Sequence, residues 1–164
     1  MQFENRYVSN EKIYGEYTRK VLFRGLDRMA MVIFVLAAML FAFEWMEGEQ
    51  LEMSAMLMLF SAVIILISGF TGRMAIRNMR KYHGGEIPES RIEFGEKMQL
   101  EEGATSTAVE YSKVTHVHNL KHSYVLRCGK AVAVIVAKGK FTVGSEAEFM
   151  NFIKEKCPNA KFKR

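Results

Sequence analysis

Two apolar runs dominate the hydropathy pattern of the chain. Neither Met29–Phe43 nor Met53–Gly72 contains a charged residue. A helix needs about 20 apolar residues to cross about 30 Å of hydrocarbon. The second run meets that length, and the first meets it when Leu26 and Trp45 extend it with interfacial residues. The pattern therefore predicts a transmembrane hairpin with spans over about 26–46 and 53–72.

Charge at the ends of the runs predicts the orientation of the hairpin. The connecting turn is acidic and contains Glu44, Glu47, Glu49 and Glu52, with no basic residue. Basic residues flank the other two ends: Arg19, Lys20, Arg24, Arg28, Arg73, Arg77, Arg80 and Lys81. Loops rich in Lys and Arg stay on the cytoplasmic side. We therefore expect a two-pass protein of the inner (plasma) membrane with both termini in the cytoplasm.

Small residues recur at intervals of seven within the two runs. Ser54, Ser61 and Ser68 form such a series in the second run, and Ala30 and Ala37 in the first. Small residues allow two helices to approach closely in lipid, where packing drives association. The series is explained by contact between the two spans or, alternatively, by a homodimer interface.

The residues around the hairpin predict one strand before it and a helical extension on each side. Alternation over Gln2–Val8 predicts a strand within residues 1–8. Ser9 or Asn10 can cap a following helix that runs on into the first span. The second span continues to Tyr82, where Gly84 and Gly85 end it. The helical hairpin thus occupies residues 9–82.

From Ser90 onward the hydrophobic period changes from helical to two. Glycine-containing turns separate six predicted strands, at Arg91–Phe94, Lys97–Glu101, Ala104–Glu110, Lys113–Leu120, Ser123–Cys128 and Ala131–Lys138. A helix over 145–157 follows, with a capping box from Ser145 to Glu148 and an apolar face that contains Phe149 and Phe152. Together with the first strand, residues 86–164 predict a seven-stranded antiparallel barrel with a C-terminal capping helix.

The whole layout resembles the YcxB-like family of small bacterial membrane proteins. The likeness rests on the opening segment Gln2–Tyr17 and on the two-span insertion over residues 29–72. It also rests on two motifs, Tyr111–Val114 and Phe141–Ser145, the second followed by Phe149 and Phe152. The resemblance implies an α+β membrane protein whose pleckstrin-homology-like (PH-like) cytoplasmic domain is split after its first strand by the hairpin. It implies no activity, catalytic residue or cofactor.

Composition and charge limit the classes of partner that the chain is expected to bind. The formal net charge is +5, but no dense cluster of Lys and Arg is interleaved with aromatic residues, so we expect no nucleic acid. The basic residues beside the spans predict contact with an anionic inner leaflet, through Arg24, Arg28, Arg73, Arg77, Arg80 and Lys81. Cys128 and Cys157 are expected to be free thiols in a cytosolic domain.

Motifs for catalysis or metal binding are scarce. Asp27 is the only aspartate, and neither a phosphate-binding loop nor a nucleophile elbow occurs. His116, His118 and His122 are the sharpest candidate for a zinc site. Because Val117 should face the core, the histidine face is expected to point outward, and we expect no metal there. Since the motifs named above are missing, we also expect no cofactor and no enzymatic activity.

The pattern as a whole favours a non-enzymatic, membrane-anchored interaction module. Its partner would be a protein that binds by strand addition or in a groove lined by Tyr111, His116, His118 and Tyr124. The alternative is a small two-span accessory or immunity-type protein, active in efflux or toxin protection, in which the hairpin carries the function.

Overall fold

The structure is a computed structural model that describes residues 2–48, 51–129 and 132–163. These residues contain four α-helices and nine strands. In chain order they are β1 (Phe3–Val8), α1 (Glu11–Tyr17), α2 (Arg24–Glu47), α3 (Glu52–Tyr82), β2 (Glu89–Phe94), β3 (Met98–Glu102), β4 (Thr105–Val109), β5 (Val114–Asn119), β6 (Ser123–Cys128), β7 (Val132–Ala137), β8 (Phe141–Val143), α4 (Glu146–Lys156) and β9 (Lys161–Lys163). Of the positions named above, Glu49, Ala131 and the end positions 1 and 164 of the predicted ranges lie outside the described residues. The protein is α+β, as the sequence predicts.

Helices α2 and α3 are the two long apolar helices, and both are long and apolar enough to cross a membrane. Only 11% and 17% of the residues in their most apolar stretches are buried within the protein. The 31 residues of α3 correspond to about 46 Å at 1.5 Å per residue. Its last turns therefore extend well beyond the apolar run, as a polar extension that carries Arg73, Arg77 and Arg80.

The small residues of the two runs pack α2 against α3. Ala30 and Ala37 are buried on α2, and Ser54, Ser61 and Ser68 are buried on α3. At the turn end the Ser54 hydroxyl donates to Glu44 Oε2 over 2.5 Å, which holds the antiparallel register. The equal spacing then places Ala37 level with Ser61 and Ala30 level with Ser68. The seven-residue series is thus used inside the hairpin.

Helix α1 packs against α3 at a point of very close approach. A Cβ at Gly72 would overlap the Cα of Gly15 and lie 2.9 Å from its backbone nitrogen. Asn10 caps α1, because its Oδ1 accepts from the backbone nitrogens of Lys12 and Ile13, each at 3.0 Å. A π-helical turn, Thr18–Leu22, and a break at Phe23 separate α1 from α2. The predicted uninterrupted helix from residue 9 into the first span is therefore wrong.

The strands form two sheets rather than one closed barrel. The first has the order β4-β3-β2-β1-β8 and the second the order β7-β6-β5-β9. All pairs are antiparallel except β5 with β9. The predicted count of seven strands misses β8 and β9, which have only three residues each. Such short strands have no pattern of their own, and β1 and β5 make them strands by pairing with them.

Helix α4 packs its apolar face against the core between the sheets. Phe149 is fully buried, with its ring centroid 4.9 Å from Phe94 and 5.7 Å from Phe3. Gly144 precedes the helix at φ +82°, and a Cβ there would collide with the ring of Phe3. A side-chain capping box does not form at Ser145. Glu146, in the first turn of α4, instead accepts a hydrogen bond from the Gly139 backbone nitrogen at 2.6 Å.

The crossing of α1 and α3 predicts opposite effects for two Gly→Ala substitutions. Ala is preferred over Gly in a helix by about 1 kcal/mol, and a Cβ at Gly15 would meet no atom within 4 Å. Gly15→Ala should therefore leave the thermal unfolding temperature unchanged or raise it. Gly72→Ala should lower it, because forced separation of the two backbones costs about 1–3 kcal/mol. Unfolding of both variants in detergent, followed by near-UV circular dichroism, measures the difference; equal behaviour would contradict this packing.

Candidate functional site

A groove remains open where the two sheets diverge. Its volume is about 460 Å³, within the ~300–1,000 Å³ typical of ligand sites. The first sheet provides Ile92, Leu100, Thr107 and Val109, and β7 provides Val132, Ala133 and Ile135. Tyr14, Met79 and Tyr82 from the helices also line the groove, and Arg91, Glu101 and Glu102 add charged groups to it. The groove is thus bounded by inner-face side chains on one side and by a strand edge on the other.

The edge of β7 is closed at one end by a side chain. Asn5 Nδ2 donates to the Ala137 carbonyl at 2.8 Å, and Asn5 Oδ1 accepts from the Ala137 backbone nitrogen at 3.1 Å. The side-chain amide therefore pairs with β7 as the backbone of a neighbouring strand would. Asn5 is fully buried on β1, so its position depends on the first sheet.

The rest of the β7 edge faces the groove. Along an antiparallel strand, the backbone N–H and C=O groups of one residue point to the neighbouring strand on one side, and those of the next residue point to the opposite side. Lys138 donates to the His122 carbonyl, which continues the β6 side of the ladder, whereas Ala137 bonds to Asn5 on the opposite side. By this alternation the backbone groups of Ala133 and Ile135 also point away from β6. Both residues line the groove, and β6 is the only described strand that pairs with β7.

The four residues predicted to line a partner groove are not brought together. Tyr111 and Tyr124 lie beside α4, with ring centroids 5.8 Å from Phe152 and 5.7 Å from Phe149 respectively. Tyr111 donates to the Gly95 carbonyl at 3.2 Å, and Tyr124 donates to Glu146 at 3.3 Å. These two tyrosines thus belong to the interface of α4 with the sheets.

The two remaining residues, His116 and His118, lie on the opposite face of the second sheet. Their rings stack with centroids 6.2 Å apart. His118 is 5% exposed, so the prediction that this face points outward is wrong for it. Alternation cannot reveal this burial, because helices cover the second face of the sheet. Burial, together with the positive charge of Lys163, lowers the pKa of His118 to about 4 and keeps the ring neutral.

His122, the third zinc candidate, is held elsewhere. Its backbone nitrogen and Nδ1 lie 2.9 and 3.2 Å from Glu16 Oε2. Within the described residues no group of three or more His, Cys, Asp or Glu side chains could hold a metal ion. Cys128 and Cys157 are buried and unbridged, and burial raises the pKa of the Cys157 thiol to about 11, which disfavours the reactive thiolate.

Glu16 attaches α1 to the second sheet. Its carboxylate accepts from the backbone nitrogens of Lys121 and His122, each at 2.9 Å, and from Lys20 Nζ at 2.9 Å. Burial opposes its ionisation, but these hydrogen bonds outweigh burial and lower the pKa of Glu16 to about 2. Nothing in the local sequence pattern identifies this residue, because its partners are 105 and 106 positions away.

The basic residues predicted at a membrane surface fall into two groups. Arg77, Arg80 and Lys81 are exposed on the last turns of α3, and Arg73 lies 3.7 Å from Glu11. Arg24 and Arg28 instead stand at the start of α2, beside β5. The second group therefore adjoins the sheet domain as well as the apolar run.

Comparison with known proteins gives no assignment. No family model, no curated protein and no solved structure matches the chain.

The hydrogen bonds of Glu16 predict a pH-dependent contribution to stability. A group with a depressed folded pKa stabilises the fold above its unfolded pKa, about 4.3, and loses that effect as the pH falls towards 2. Glu16→Gln should lower stability at pH 7 by about 1–3 kcal/mol, which corresponds to about 2–4 °C per kcal/mol in unfolding temperature.

Thermal unfolding of the full chain in detergent, from pH 7 down to pH 3, measures this effect. The difference between Glu16→Gln and the parent chain should shrink as the pH falls. Glu11→Gln is the matched control, because Glu11 is on the same helix, its side chain is 61% exposed and its basic neighbour is 3.7 Å away. A pH-independent difference, or an equal effect of the control, would contradict the role of Glu16.

Proposed function

We propose that the chain is a membrane-anchored interaction module whose sheet domain binds an extended peptide segment of a protein partner. In this proposal α2 and the apolar part of α3 cross the inner membrane as a hairpin, with both termini in the cytoplasm. The exposed apolar surfaces of both helices support insertion. The distribution of charge supports the orientation, because the turn is acidic and the other ends are basic.

The sheet domain is proposed to be PH-like and the chain to be YcxB-like. Two sheets with a C-terminal helix against their common core support this proposal, as does the position of the hairpin between β1 and β2. The exposed basic side chains of Arg77, Arg80 and Lys81 would then face an anionic inner leaflet, where each contributes roughly 1 kcal/mol of attraction.

The β7 edge is the observation that carries the binding proposal. Backbone groups of Ala133 and Ile135 point away from β6, and Asn5 already bonds to the same edge at Ala137 as a strand would. An added strand would continue that ladder along the groove and present alternate side chains to Leu100, Val109, Tyr14 and Tyr82. Main-chain bonding of this kind needs no catalytic group.

Labelling of single cysteines tests insertion and orientation. Glu47→Cys at the turn and Lys81→Cys at the end of α3 both place a thiol at an exposed position. Native Cys128 and Cys157 are buried and should react little. A membrane-impermeant maleimide should label position 47 in spheroplasts and position 81 only after permeabilisation. The reverse pattern, or labelling of both from outside, would overturn the topology.

Peptide selection tests strand addition. A displayed library of peptides with alternating apolar and polar residues is selected on the full chain in nanodiscs. Bound peptides should protect the backbone amides of Ala133 and Ile135 from hydrogen exchange. Ala133→Pro removes one outward N–H without breaking the β6 side of the ladder, and it should weaken binding by about 10-fold or more.

Charge at the edge provides the matched pair of side-chain variants. Val132→Lys places a charge on the groove edge, whereas Val143→Lys places the same charge on β8; the two valines are 46% and 38% exposed. Only Val132→Lys should impair binding. If peptides bind equally to every variant, or if replacement of the hairpin by an unrelated one abolishes binding, the sheet edge is not the site and the two-span alternative is favoured.

A further inference from the structure

A cleft lined by positive charge lies where α2 begins beside the second sheet. Arg24, Gly25 and Arg28 form its helical side, and Arg127 and Lys163 line its sheet side. Its volume is about 550 Å³, and no carboxylate is among its lining residues. Four basic side chains from three elements of the fold thus converge on one space.

These four basic residues have no ionic partner among the residues that the structure describes. None of them makes a salt bridge within the described ranges. Arg91, on the outer face of the first sheet, shows the contrast, because it lies within 3.6 Å of carboxylate oxygens from Glu4, Glu93 and Glu101. Basic groups that line a cleft with no carboxylate among its lining residues create a positive potential that favours an anion.

His118 also lines the cleft and supplies a second, independent observation. The residue is 95% buried, since 5% is exposed, and its Nε2 has no hydrogen-bond partner in the described structure. A buried polar nitrogen without a partner costs free energy that a bound ligand can recover. His118, Arg24 and Arg28 also line an adjoining cleft of about 420 Å³, together with Arg19, Lys20, Lys121 and Asp27. Asp27 makes no salt bridge with these basic residues within the described ranges.

We propose that the cleft binds a phosphate group, with Arg24, Arg28, Arg127 and Lys163 around its oxygens and His118 Nε2–H donating to one of them. Guanidinium groups bind phosphate through paired, charge-assisted hydrogen bonds. A phosphate offers several acceptor oxygens in different directions, which matches donors that arrive from a helix on one side and from strands on the other. The site differs from the peptide groove in every lining residue.

The phosphate could belong to a lipid headgroup or to a soluble phosphate ester. The lipid source rests on the membrane insertion proposed above, since Arg24 and Arg28 would then lie at headgroup level at the start of the first span. The soluble source does not depend on insertion. Cysteine labelling therefore tests insertion, and the binding experiment below tests the phosphate site separately.

Titration calorimetry with the full chain in a neutral detergent is the direct test. The probes are inorganic phosphate, dioctanoyl phosphatidate and dioctanoyl phosphatidylglycerol. Binding of a lipid about 10-fold or more tighter than inorganic phosphate assigns the site to a headgroup, and comparable affinities assign it to soluble phosphate. Both outcomes support the phosphate site; no detectable binding of any probe overturns it.

Charge-matched variants separate the cleft from general electrostatic attraction. Arg127→Gln combined with Lys163→Gln should weaken binding of the preferred probe by about 10-fold or more. The control, Lys140→Gln combined with Lys154→Gln, removes the same charge from exposed positions that line neither basic cleft, and it should leave affinity unchanged. An equal loss in both double variants would overturn the site.

His118→Phe distinguishes a ligand contact from a structural role. Replacement of an unpartnered buried nitrogen by an apolar ring should leave the unfolding temperature unchanged or raise it. The same substitution should weaken binding of the preferred probe by about 10-fold. If affinity is retained in a folded His118→Phe variant, His118 does not contact the phosphate and the proposal fails. If the phenylalanine prevents folding, His118→Leu provides the same comparison, because it also removes the N–H donor and has a smaller side chain.

Discussion

The close approach of α1 and α3 is the contact on which the arrangement of the molecule depends. No side chain fits between Gly72 and Gly15, so the two helices are in backbone contact. Gly72 also lies on the face of α3 that buries Ser54, Ser61 and Ser68 against α2, and that face continues to Ile76. One face of a single helix thus packs first against the other long helix and then against α1.

Helix α1 transmits this contact to both sheets. Only Ser9 and Asn10 separate it from β1, which lies between β2 and β8 in the first sheet. Glu16 on the same helix bonds to the turn between β5 and β6 in the second sheet. Because α1 is fixed at both ends, the sheet domain cannot rotate about a single flexible connection. The domain has one defined orientation on the extension of α3.

That orientation gives the two proposed sites different surroundings. The peptide groove opens beside the end of α3, where Met79 and Tyr82 contribute to its lining. The basic cleft opens at the start of α2, the point where the apolar run begins. Because the hairpin is inserted between β1 and β2, each opening has a fixed position relative to the long helices, which a hairpin attached at one terminus would not give.

The amino-acid sequence by itself determined the long-range order of elements. Two uncharged runs of membrane-spanning length, a change of hydrophobic period from helical to two at Ser90 and a final amphipathic helix were all readable, because each is a local pattern. The small-residue series also predicted the packing of α2 on α3, with a homodimer interface as the less favoured alternative; the hydrogen bond of Ser54 to Glu44 joins the two helices within one chain.

Only the tertiary structure decided which strands pair, how the sheets end and which polar groups are buried. β8 and β9 have three residues each and become strands through neighbours that are distant in the sequence. Asn5, Glu16 and His118 have ordinary local surroundings, and their roles depend on partners or coverings more than 90 positions away. Local periodicity reports which face of a segment avoids water, but it cannot report what covers the opposite face. The groove, the attachment of α1 through Glu16 and the basic cleft all depend on what covers that opposite face.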